Sequence, residues 1–245
     1  MKSNETIDAN SLERIVPDDV MPGETTGSET LRLHMERYEF AARHLLPGNV
    51  LDIACGVGYG TALLADKPAV TQAFGVDINS ASVEYARRRY AKAKVLFECC
   101  DADEFRPGRL FTNIVSLETI EHVGNPDALF THLVSLLLPG GRLIASVPIT
   151  PSVDANPHHK RNFSRRTFKR MGKRNSLAYV NSMLQVQRFN PIAIVTRTEA
   201  RSANTRPNLA RFYLRNPSHL GLRLFSTLWD GFVNKYLTIV WQRTE

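Results

Sequence analysis

The sequence predicts a doubly wound α/β domain: a Rossmann-like, mostly parallel, seven-stranded sheet with helices on both faces. The first observation is that short apolar segments alternate with segments of helical spacing between residues 49 and 149. The second is the glycine-rich stretch DIACGVGYG, residues 52–60, which follows the first apolar segment as a strand-to-helix turn does. The chain of 245 residues is long enough to bury one sizeable core.

The elements of the first part follow in order along the chain. A polar arm over residues 1–30 leads into a helix over residues 28–45, in which Ser28 or Thr30 is an available N-cap. Asn79 or Ser80 similarly opens a later helix, and a Pro-Gly-Gly sequence ends another before the fifth strand. The predicted strands cover residues 49–54, 73–78, 95–102, 111–120 and 142–149, and the helices between them begin near residues 61, 80 and 126.

Beyond residue 150 the regular alternation stops. The stretch over residues 151–174 is rich in proline, histidine and arginine and predicts a lid-like insertion after the fifth strand. Residues 178–189 and 234–243 are candidate late strands, with 236–243 as the last strand, and residues 210–233 are amphipathic, suited to packing on the sheet or to peripheral membrane contact. We therefore expect one domain over residues 31–245, with a ligand-binding core over 31–150 and a lid with further C-terminal elements over 151–235.

The charge and the cysteine content limit which partners and which cellular compartment suit the protein. The formal net charge is +7, and eight of the fifteen residues from Lys160 to Arg174 are basic. Such a cluster indicates phosphate, nucleic acid or an anionic membrane as a partner, and a solvated helix face explains it equally well. Three cysteines, a polar N-terminus and the lack of an apolar run of about 20 residues favour a cytoplasmic protein without a signal peptide or membrane span.

Carboxylates accompany three successive predicted strands. Asp52 lies in the first strand, Asp77 ends the second, 25 residues later, and Asp101 follows the third. Because parallel strands end at one edge of a sheet, we expect these side chains to share one site there. Asp77 is placed to accept two ribose hydroxyls and Asp101 to accept an adenine amino group, so the sequence predicts a ligand that contains adenosine.

The glycines of the loop have separate predicted roles. Gly56 permits a tight turn, Gly58 lets a ligand lie against the main chain, and Gly60 lets the following helix start close to the strand. An NAD-dependent Rossmann enzyme is the alternative, but its fingerprint spaces the glycines as G-x-G-x-x-G, whereas here they alternate.

The segments VLDIACGVGYG, GVDI, CCDA and LLLPGGRLIASVP resemble, in order and spacing, the motifs of class I S-adenosylmethionine-dependent methyltransferases over residues 35–150. The resemblance implies S-adenosylmethionine as cofactor, with its methionine end held by Asp52 and the loop backbone, its ribose by Asp77, and its adenine beside Ile78, Asp101 and Ala102. The full implied cofactor set is Tyr38, Asp52, Ala54, Gly56, Gly58, Asp77, Ile78, Asp101, Ala102 and Glu118.

The stretch SLETIEHV, residues 116–123, carries the motif E-x-x-E-H where the fourth strand ends. On a helical turn, Glu118, Glu121 and His122 share one face, which suits a divalent cation such as Mg²⁺. The motif resembles one in ubiquinone-pathway O-methyltransferases and in small-RNA 2′-O-methyltransferases, where it binds metal, and His158 or His159 is then the fourth ligand. In the alternative without metal, Glu118 orders the cofactor and His122 caps or orients.

A narrower resemblance links residues 12–170 to bacterial methyltransferases of glycan and polysaccharide biosynthesis. It is carried by an RY-x-FA helix, residues 37–41, and by an N-P-x-H-x-R-x-F segment, residues 156–163. This resemblance implies O-methylation of a sugar or glycan, with His159 nearest the acceptor and His122 or His158 as the alternative base. An acceptor phosphate is then a natural ligand for Arg161, Arg165 and Arg166.

Three other functions stay open from the sequence. The basic cluster and E-x-x-E-H favour an RNA 2′-O-methyltransferase, although no RNA-binding module is recognisable. The amphipathic region favours methylation of a quinone, a natural product or another small acceptor. A cofactor-binding scaffold without catalysis is the third.

Overall fold

The computed structural model describes residues 16–17, 25–188, 206 and 208–244. Its strands are β1 (Gly48–Ile53), β2 (Val70–Asp77), β3 (Val95–Cys99), β4 (Phe111–Leu117), β5 (Leu137–Pro148), β6 (Leu177–Arg188) and β7 (Val233–Arg243). The helices of these described residues are α1 (Thr25–Arg43), α2 (Tyr59–Ala65), α3 (Ser80–Tyr90), α4 (Pro126–Ser135), α5 (Arg165–Arg174), α6 (Leu209–Arg215) and α7 (Pro217–Asp230).

The seven strands form one sheet in the order β3-β2-β1-β4-β5-β7-β6. Strands β1 to β5 are parallel, and β7 runs antiparallel to both of its neighbours. The strand order reverses between β1 and β4, so their carboxyl ends border the crevice in which such sheets bind ligands. The predicted Rossmann-like, mostly parallel, seven-stranded sheet is confirmed.

Helices cover both faces of the sheet, because alternate residues of each buried strand serve two cores. Val50 of β1 belongs to one core with α1 to α3, whereas Leu51 and Ile53 belong to the other with α4 and α5. All three side chains are fully buried. The first core places α1 over the glycine loop, and the second supports the end of β4.

Several element boundaries differ from the sequence-based prediction; β3 and β4, for example, end at Cys99 and Leu117 and not at residues 102 and 120. Helix α1 begins at Thr25, so the predicted arm over 1–30 ends earlier than expected; its residues 1–15 and 18–24 lie outside the described residues. Strand β5 begins at Leu137 instead of residue 142 and includes the Pro-Gly-Gly sequence that was predicted to precede it. Gly140 has a φ of +73°, and the pairing of β5 with β4 shifts register there, so a bulge absorbs the turn residues.

The basic stretch after residue 160 is only partly an insertion. Its second half is α5, which buries Phe168, Met171 and Gly172 and exposes its basic side chains. A Cβ atom at Gly172 would lie 2.2 Å from Nε1 of Trp241, so the glycine allows the helix to pack directly on β7. Helix α5, which was predicted as part of the lid, therefore packs on the core. Its outer side is the solvated helix face that was the alternative explanation of the basic cluster.

The last predicted elements are both strands, and the amphipathic region between them is helical. Strand β7 begins at Val233, three residues before the predicted start of the last strand. The described part of residues 206–232 forms α6 and α7. No helix in the described part of the chain is long and apolar enough to cross a membrane.

Candidate functional site

The glycine loop between β1 and α2 depends on left-handed backbone. Gly56 and Gly58 have φ values of +58° and +85°, which glycine adopts without steric cost. A Cβ atom at Gly58 would lie 2.6 Å from Cβ of Ala86 and 2.8 Å from the ring of Phe97, whereas one at Gly56 would meet nothing within 4 Å. The open space that was expected beside Gly58 therefore lies beside Gly56, which also has the predicted turn conformation, whereas Gly58 packs closely against other elements.

Asp52 is buried beneath this loop. Its carboxylate accepts a hydrogen bond of 2.6 Å from Oγ1 of Thr61 and bonds of 3.3 Å to both oxygens from the hydroxyl of Tyr38. The ring of Tyr38 occupies the place of a side chain at Gly60, where a Cβ atom would come within 1.9 Å of it. Burial raises the pKa of Asp52 to about 7 even though both hydroxyl bonds lower it, and the carboxylate of Asp77 adds a further rise.

Asp77, at the end of β2, holds the loop in place. Its carboxylate accepts hydrogen bonds from the backbone N–H of Gly56 at 2.8 Å and of Asn79 at 2.9 Å. The next residue, Ile78, is 60% exposed, as expected of a side chain that lies against a ligand and not against the core. Sequence and structure therefore agree in bringing Asp52, Asp77 and Gly56 to one edge of the sheet.

The remaining predicted cofactor residues lie at the ends of neighbouring segments. Asp101 follows β3 and accepts a hydrogen bond of 2.9 Å from the backbone N–H of Asp103. Ala102 beside it is half-buried, packed against the core. Ala54 has a φ of +59°, which is uncommon for a residue with a side chain and marks the point where β1 turns into the loop.

Glu118 is the first residue beyond β4 and does not share a face with the rest of its motif. Its φ is +52°, so no helical turn runs from Glu118 to His122 and the predicted alignment fails. Oγ of Ser146 donates a hydrogen bond of 2.6 Å to its carboxylate and accepts one of 3.1 Å from its backbone N–H. These bonds fasten Glu118 to β5, at the same edge of the sheet as the glycine loop.

Glu121, His122 and His159 form the second part of the site, which we call the Glu-His-His cluster. One ligand atom from each lies within 4.8 Å of the others. The two imidazole rings meet edge to face with centroids 4.6 Å apart, and the Glu121 side chain is fully buried. A carboxylate and two imidazoles in this arrangement suit a divalent cation or proton transfer.

The loop that carries His159 is tied to the rest of the cluster. Nδ1 of His159 lies 2.6 Å from Oγ of Ser152, and the backbone N–H of Lys160 donates to the carbonyl of Glu121 at 2.8 Å. His158 contributes its carbonyl, 3.4 Å from Nδ1 of His122, while its side chain is exposed. Between the two neighbouring histidines, the structure places His159 in the cluster.

The predicted phosphate-binding arginines lie on the outer surface around the start of α5. The guanidinium of Arg161 is 3.4 Å from the carboxylate of Asp127, and Arg174 approaches the same carboxylate at 3.7 Å. Arg165 and Arg166 are exposed on the first turn of α5. This arrangement leaves them accessible to an anion without placing them among the residues that hold the histidines.

Several polar residues of the site were missed from the sequence. Arg37 is buried, lies 4.7 Å from the ring centre of Tyr236 and donates a hydrogen bond of 3.3 Å to Gln185. Burial, followed by the nearby carboxylate of Glu118, raises the pKa of Tyr236 to about 12. Arg37 stood in the RY-x-FA motif, but Tyr236 and Gln185 come from two late strands and carry no local signal.

Comparison with known proteins agrees with this geometry. A family model described as a methyltransferase domain matches residues 29–186, more than half of the chain. Phosphoethanolamine N-methyltransferase 1 of Zea mays is 33% identical over 138 residues, which cover 55% of this chain and 26% of that protein. A malonyl-[acyl-carrier protein] O-methyltransferase of Acetivibrio thermocellus is 31% identical over 98 residues, covering 40% of this chain and 35% of that protein. The chain thus spans about a quarter to a third of the length of these relatives.

Solved structures share the fold at low sequence identity. The N-methyltransferase NodS of Bradyrhizobium japonicum, solved with S-adenosyl-L-homocysteine, superimposes with a TM-score of 0.59 over 88% of each chain at 15% identity. The YcgJ protein of Bacillus subtilis has a TM-score of 0.65 over 86% of this chain and all of that one, at 18% identity. With the glycine loop, the strand-end carboxylates and the family match in agreement, the chain belongs to the class I S-adenosylmethionine-dependent methyltransferases.

Proposed function

We propose that the protein transfers the methyl group of S-adenosylmethionine to a hydroxyl of a sugar-containing or other small acceptor. The observation that carries this proposal is the Glu-His-His cluster at the carboxyl edge of the sheet, beyond β4, which ends at Leu117. An alcohol oxygen is a weak nucleophile at neutral pH, so its methylation gains from a base or a cation beside it. The imidazoles of this cluster can act as the base, and its three side chains have the donor atoms that a cation would need.

The cofactor pocket is assigned to the glycine loop and its carboxylates. The open space beside Gly56 receives the methionine end, with Asp52 beneath it, and Asp77 takes the ribose. Ile78 and Asp101 border the adenine. In the sequence, Glu118 lies between the residues of this pocket and those of the cluster. Its carboxylate is held by a hydrogen bond from Ser146 and orders the end of the cofactor that carries the methyl group.

Methyl transfer needs the acceptor oxygen, the methyl carbon and the sulfur in one line, with water excluded. The new oxygen–carbon bond forms as the carbon–sulfur bond breaks, and the sulfur keeps the electron pair of that bond, which leaves S-adenosylhomocysteine. We assign the hydroxyl proton to His159, whose ring is fixed by Ser152 at 2.6 Å. The carboxylate of Glu121, within 4.8 Å of a ring nitrogen of His159, favours the positive charge that then develops on that ring.

The donors of the cluster also fit a divalent cation such as Mg²⁺ or Mn²⁺. Glu121, His122 and His159 would hold it, and it would supply a lowered pKa for an acceptor hydroxyl. Two imidazoles with one carboxylate are the ligand types that Mn²⁺, Fe²⁺ and Zn²⁺ accept more readily than Mg²⁺ does. Glu118 is left out of this ligand set, because it is not among the residues whose ligand atoms lie within 4.8 Å of one another.

Arg161, Arg165 and Arg166 are the candidate contacts for an anionic group on the acceptor. Their exposure beside the histidine loop supports a nucleotide-linked or lipid-linked sugar as the acceptor class. The names of the relatives favour a second candidate, an amine that bears a phosphate, since the matched maize protein is a phosphoethanolamine N-methyltransferase. RNA and quinols complete the set of acceptors to compare.

The test is methyl transfer from labelled S-adenosylmethionine to each acceptor class in turn: a nucleotide-linked sugar, phosphoethanolamine, a catechol or quinol, and a short RNA. We expect turnover on the sugar hydroxyl. Transfer only to the amine would replace this proposal with N-methylation, and transfer only to RNA would replace it with 2′-O-methylation.

His159→Ala should lower kcat by roughly 10²- to 10⁴-fold, the usual contribution of a positioned base. Its neighbour provides the matched control: His158→Ala removes an exposed imidazole and should leave kcat within about twofold. Cofactor affinity, measured by calorimetry, should be unchanged in both variants. Equal activity of the two variants would exclude His159 as the base.

A further inference from the structure

Helix α7 is oriented with its apolar side outward. Leu224, Phe225, Leu228 and Trp229 are 54%, 69%, 87% and 81% exposed, and none of the residues of α7 is buried. The partly buried positions of the same helix are His219, Arg223, Ser226, Thr227 and Asp230. Surface helices of soluble domains normally bury the apolar side and expose the polar one, so this helix is inverted.

Specific polar contacts hold α7 in this orientation. The Arg223 guanidinium donates two hydrogen bonds of 2.7 Å to the carboxylate of Asp154, which is 1% exposed, and another of 2.5 Å to the carbonyl of Pro151. The hydroxyl of Tyr213 on α6 donates to the same carboxylate at 2.6 Å. On the far turn, Lys235 forms an ion pair with Asp230. These contacts therefore fix the orientation of α7, and its apolar side faces outward as a consequence of the fold.

The apolar side chains form what we call the α6–α7 patch. Nine of the sixteen large apolar side chains that are exposed in the described part of the chain belong to it. They are Leu209, Leu214, Leu220, Leu222, Leu224, Phe225, Leu228, Trp229 and Phe232. Apolar surface concentrated in this way marks an interaction site, whereas scattered exposed residues need no explanation.

Arginines accompany the α6–α7 patch. Arg206, Arg211 and Arg215 line a cleft together with Phe212 and Pro157, and both arginines of α6 are exposed. No acidic side chain lines this cleft among the described residues. Pro157 belongs to the loop of His159, so this basic cleft lies next to the acceptor side of the site.

We propose that the α6–α7 patch docks the protein onto the surface of an anionic lipid bilayer. Leucine, phenylalanine and tryptophan on one side of short helices, accompanied by arginine, are the composition of helices that lie in a membrane interface. The arginines of the cleft and the net charge of +7 attract lipid headgroups that carry phosphate. Docking in this orientation brings the loop of His159 close to the membrane surface.

A second copy of the chain is a poorer partner for the same surface. In a two-fold symmetric contact the patch would face itself, and the arginines of both copies would be brought together without a described acidic partner in the cleft. Charge complementarity therefore selects an anionic surface over self-association.

The test is co-sedimentation of the full chain, without cofactor, with vesicles of phosphatidylcholine and phosphatidylglycerol at 3:1. We expect binding that falls at least tenfold in vesicles of phosphatidylcholine alone and that weakens as salt rises. Leu228→Ser with Trp229→Ser should reduce binding more than tenfold, and Arg211→Glu with Arg215→Glu should reduce it about tenfold. Leu96→Ser, at a 47% exposed leucine on β3 at the opposite edge of the sheet, is the matched control and should bind as wild type.

Intrinsic fluorescence gives a direct second readout. The chain has two tryptophans, and Trp241 is 2% exposed, so changes on vesicle addition report Trp229. We expect a blue shift with anionic vesicles and protection from an aqueous quencher, and Trp229→Phe should abolish both. Three results would each overturn the proposal. They are a lack of binding to vesicles, a concentration-dependent dimer that buries Trp229, and protection of Trp229 by residues 189–205 before any lipid is added. Because these readouts need neither cofactor nor acceptor, they are independent of the proposed methyl transfer.

Discussion

At the scale of single residues, the burial of Asp52 makes the stability of the protein depend on pH. Its carboxyl is buried below the loop with two hydroxyl donors and no basic side chain among its described hydrogen bonds. A folded-state pKa near 7 lies above the value of about 4 in the unfolded chain. The cofactor-free protein therefore loses stability as pH rises from about 4 to about 7, because the unfolded chain releases this proton first.

The same carboxyl predicts how cofactor affinity depends on pH. If Asp52 holds the methionine end, whose ammonium is positive, the complex favours the ionised carboxylate, and below pH 7 a proton must leave on binding. The affinity for S-adenosylmethionine should then rise about tenfold from pH 6 to pH 8. Calorimetry in buffers of different ionisation enthalpy measures both the affinity and the released proton. Asp52→Asn should bind more weakly and lose this dependence, and a wild-type affinity that is flat over this range would contradict the assignment.

At the scale of elements, one buried ion pair determines the position of two helices. Asp154, in the loop after β5, is the shared acceptor of Tyr213 on α6 and Arg223 on α7. Burial alone raises the pKa of Asp154, but the bonds from Arg223 and Tyr213 outweigh it, so the pKa lies below its usual value. The stabilisation from this carboxylate is complete above the unfolded pKa of about 4 and is lost as pH falls through the lower folded value.

Asp154→Asn should loosen α6 and α7 and lower the free energy of unfolding by about 2 kcal/mol, because Arg223 stays partly buried without its charge partner. Hydrogen exchange should increase in both helices and leave β1 and β4 unchanged. Asp127→Asn is the control, since its ion pairs with Arg161 and Arg174 are exposed and should contribute under 1 kcal/mol. Uniform exchange changes across the sheet would mean that Asp154 supports the whole domain and not these two helices.

At the scale of the whole molecule, the Glu-His-His cluster joins distant parts of the sequence. Glu121 and His122 follow β4, whereas His159 lies in the loop after β5, and only the parallel pairing of these strands brings them together. A cation bound by all three ligands would stabilise the folded chain without contacting the unfolded one.

Metal binding can therefore be measured by thermal unfolding, independently of any measurement of enzymatic activity. Adding Mn²⁺ or Mg²⁺ to chelator-treated protein should raise Tm by several degrees, since a concentration of 100 times Kd supplies about 2.7 kcal/mol. Glu121→Gln should abolish this rise, and Glu118→Gln, outside the ligand set, should retain it. A Tm that is insensitive to every divalent cation would leave the cluster as a proton-transfer site alone.

The sequence by itself determined the fold of this protein and the part of the site that is local. The glycine loop, Asp52 and Asp77 lie at the ends of strands, and hydrophobic periodicity in the sequence predicts where those strands are. Because the strands pair in parallel, these residues lie at the same edge of the sheet. Even there, the sequence did not distinguish the glycine that packs, Gly58, from the one beside open space, Gly56, because the difference lies in Ala86 and Phe97 from other elements.

Only the tertiary structure decided the contacts between segments that are far apart in the chain. The positive φ of Glu118 separates it from its motif, Ser152 selects His159 over His158 by a hydrogen bond, and Tyr236 reaches Arg37 from the last strand. The outward apolar side of α7 likewise follows from Asp154, which gives the polar side a buried partner. Periodicity shows that a helix has two sides, but which side faces the protein depends on what the rest of the chain places beneath it.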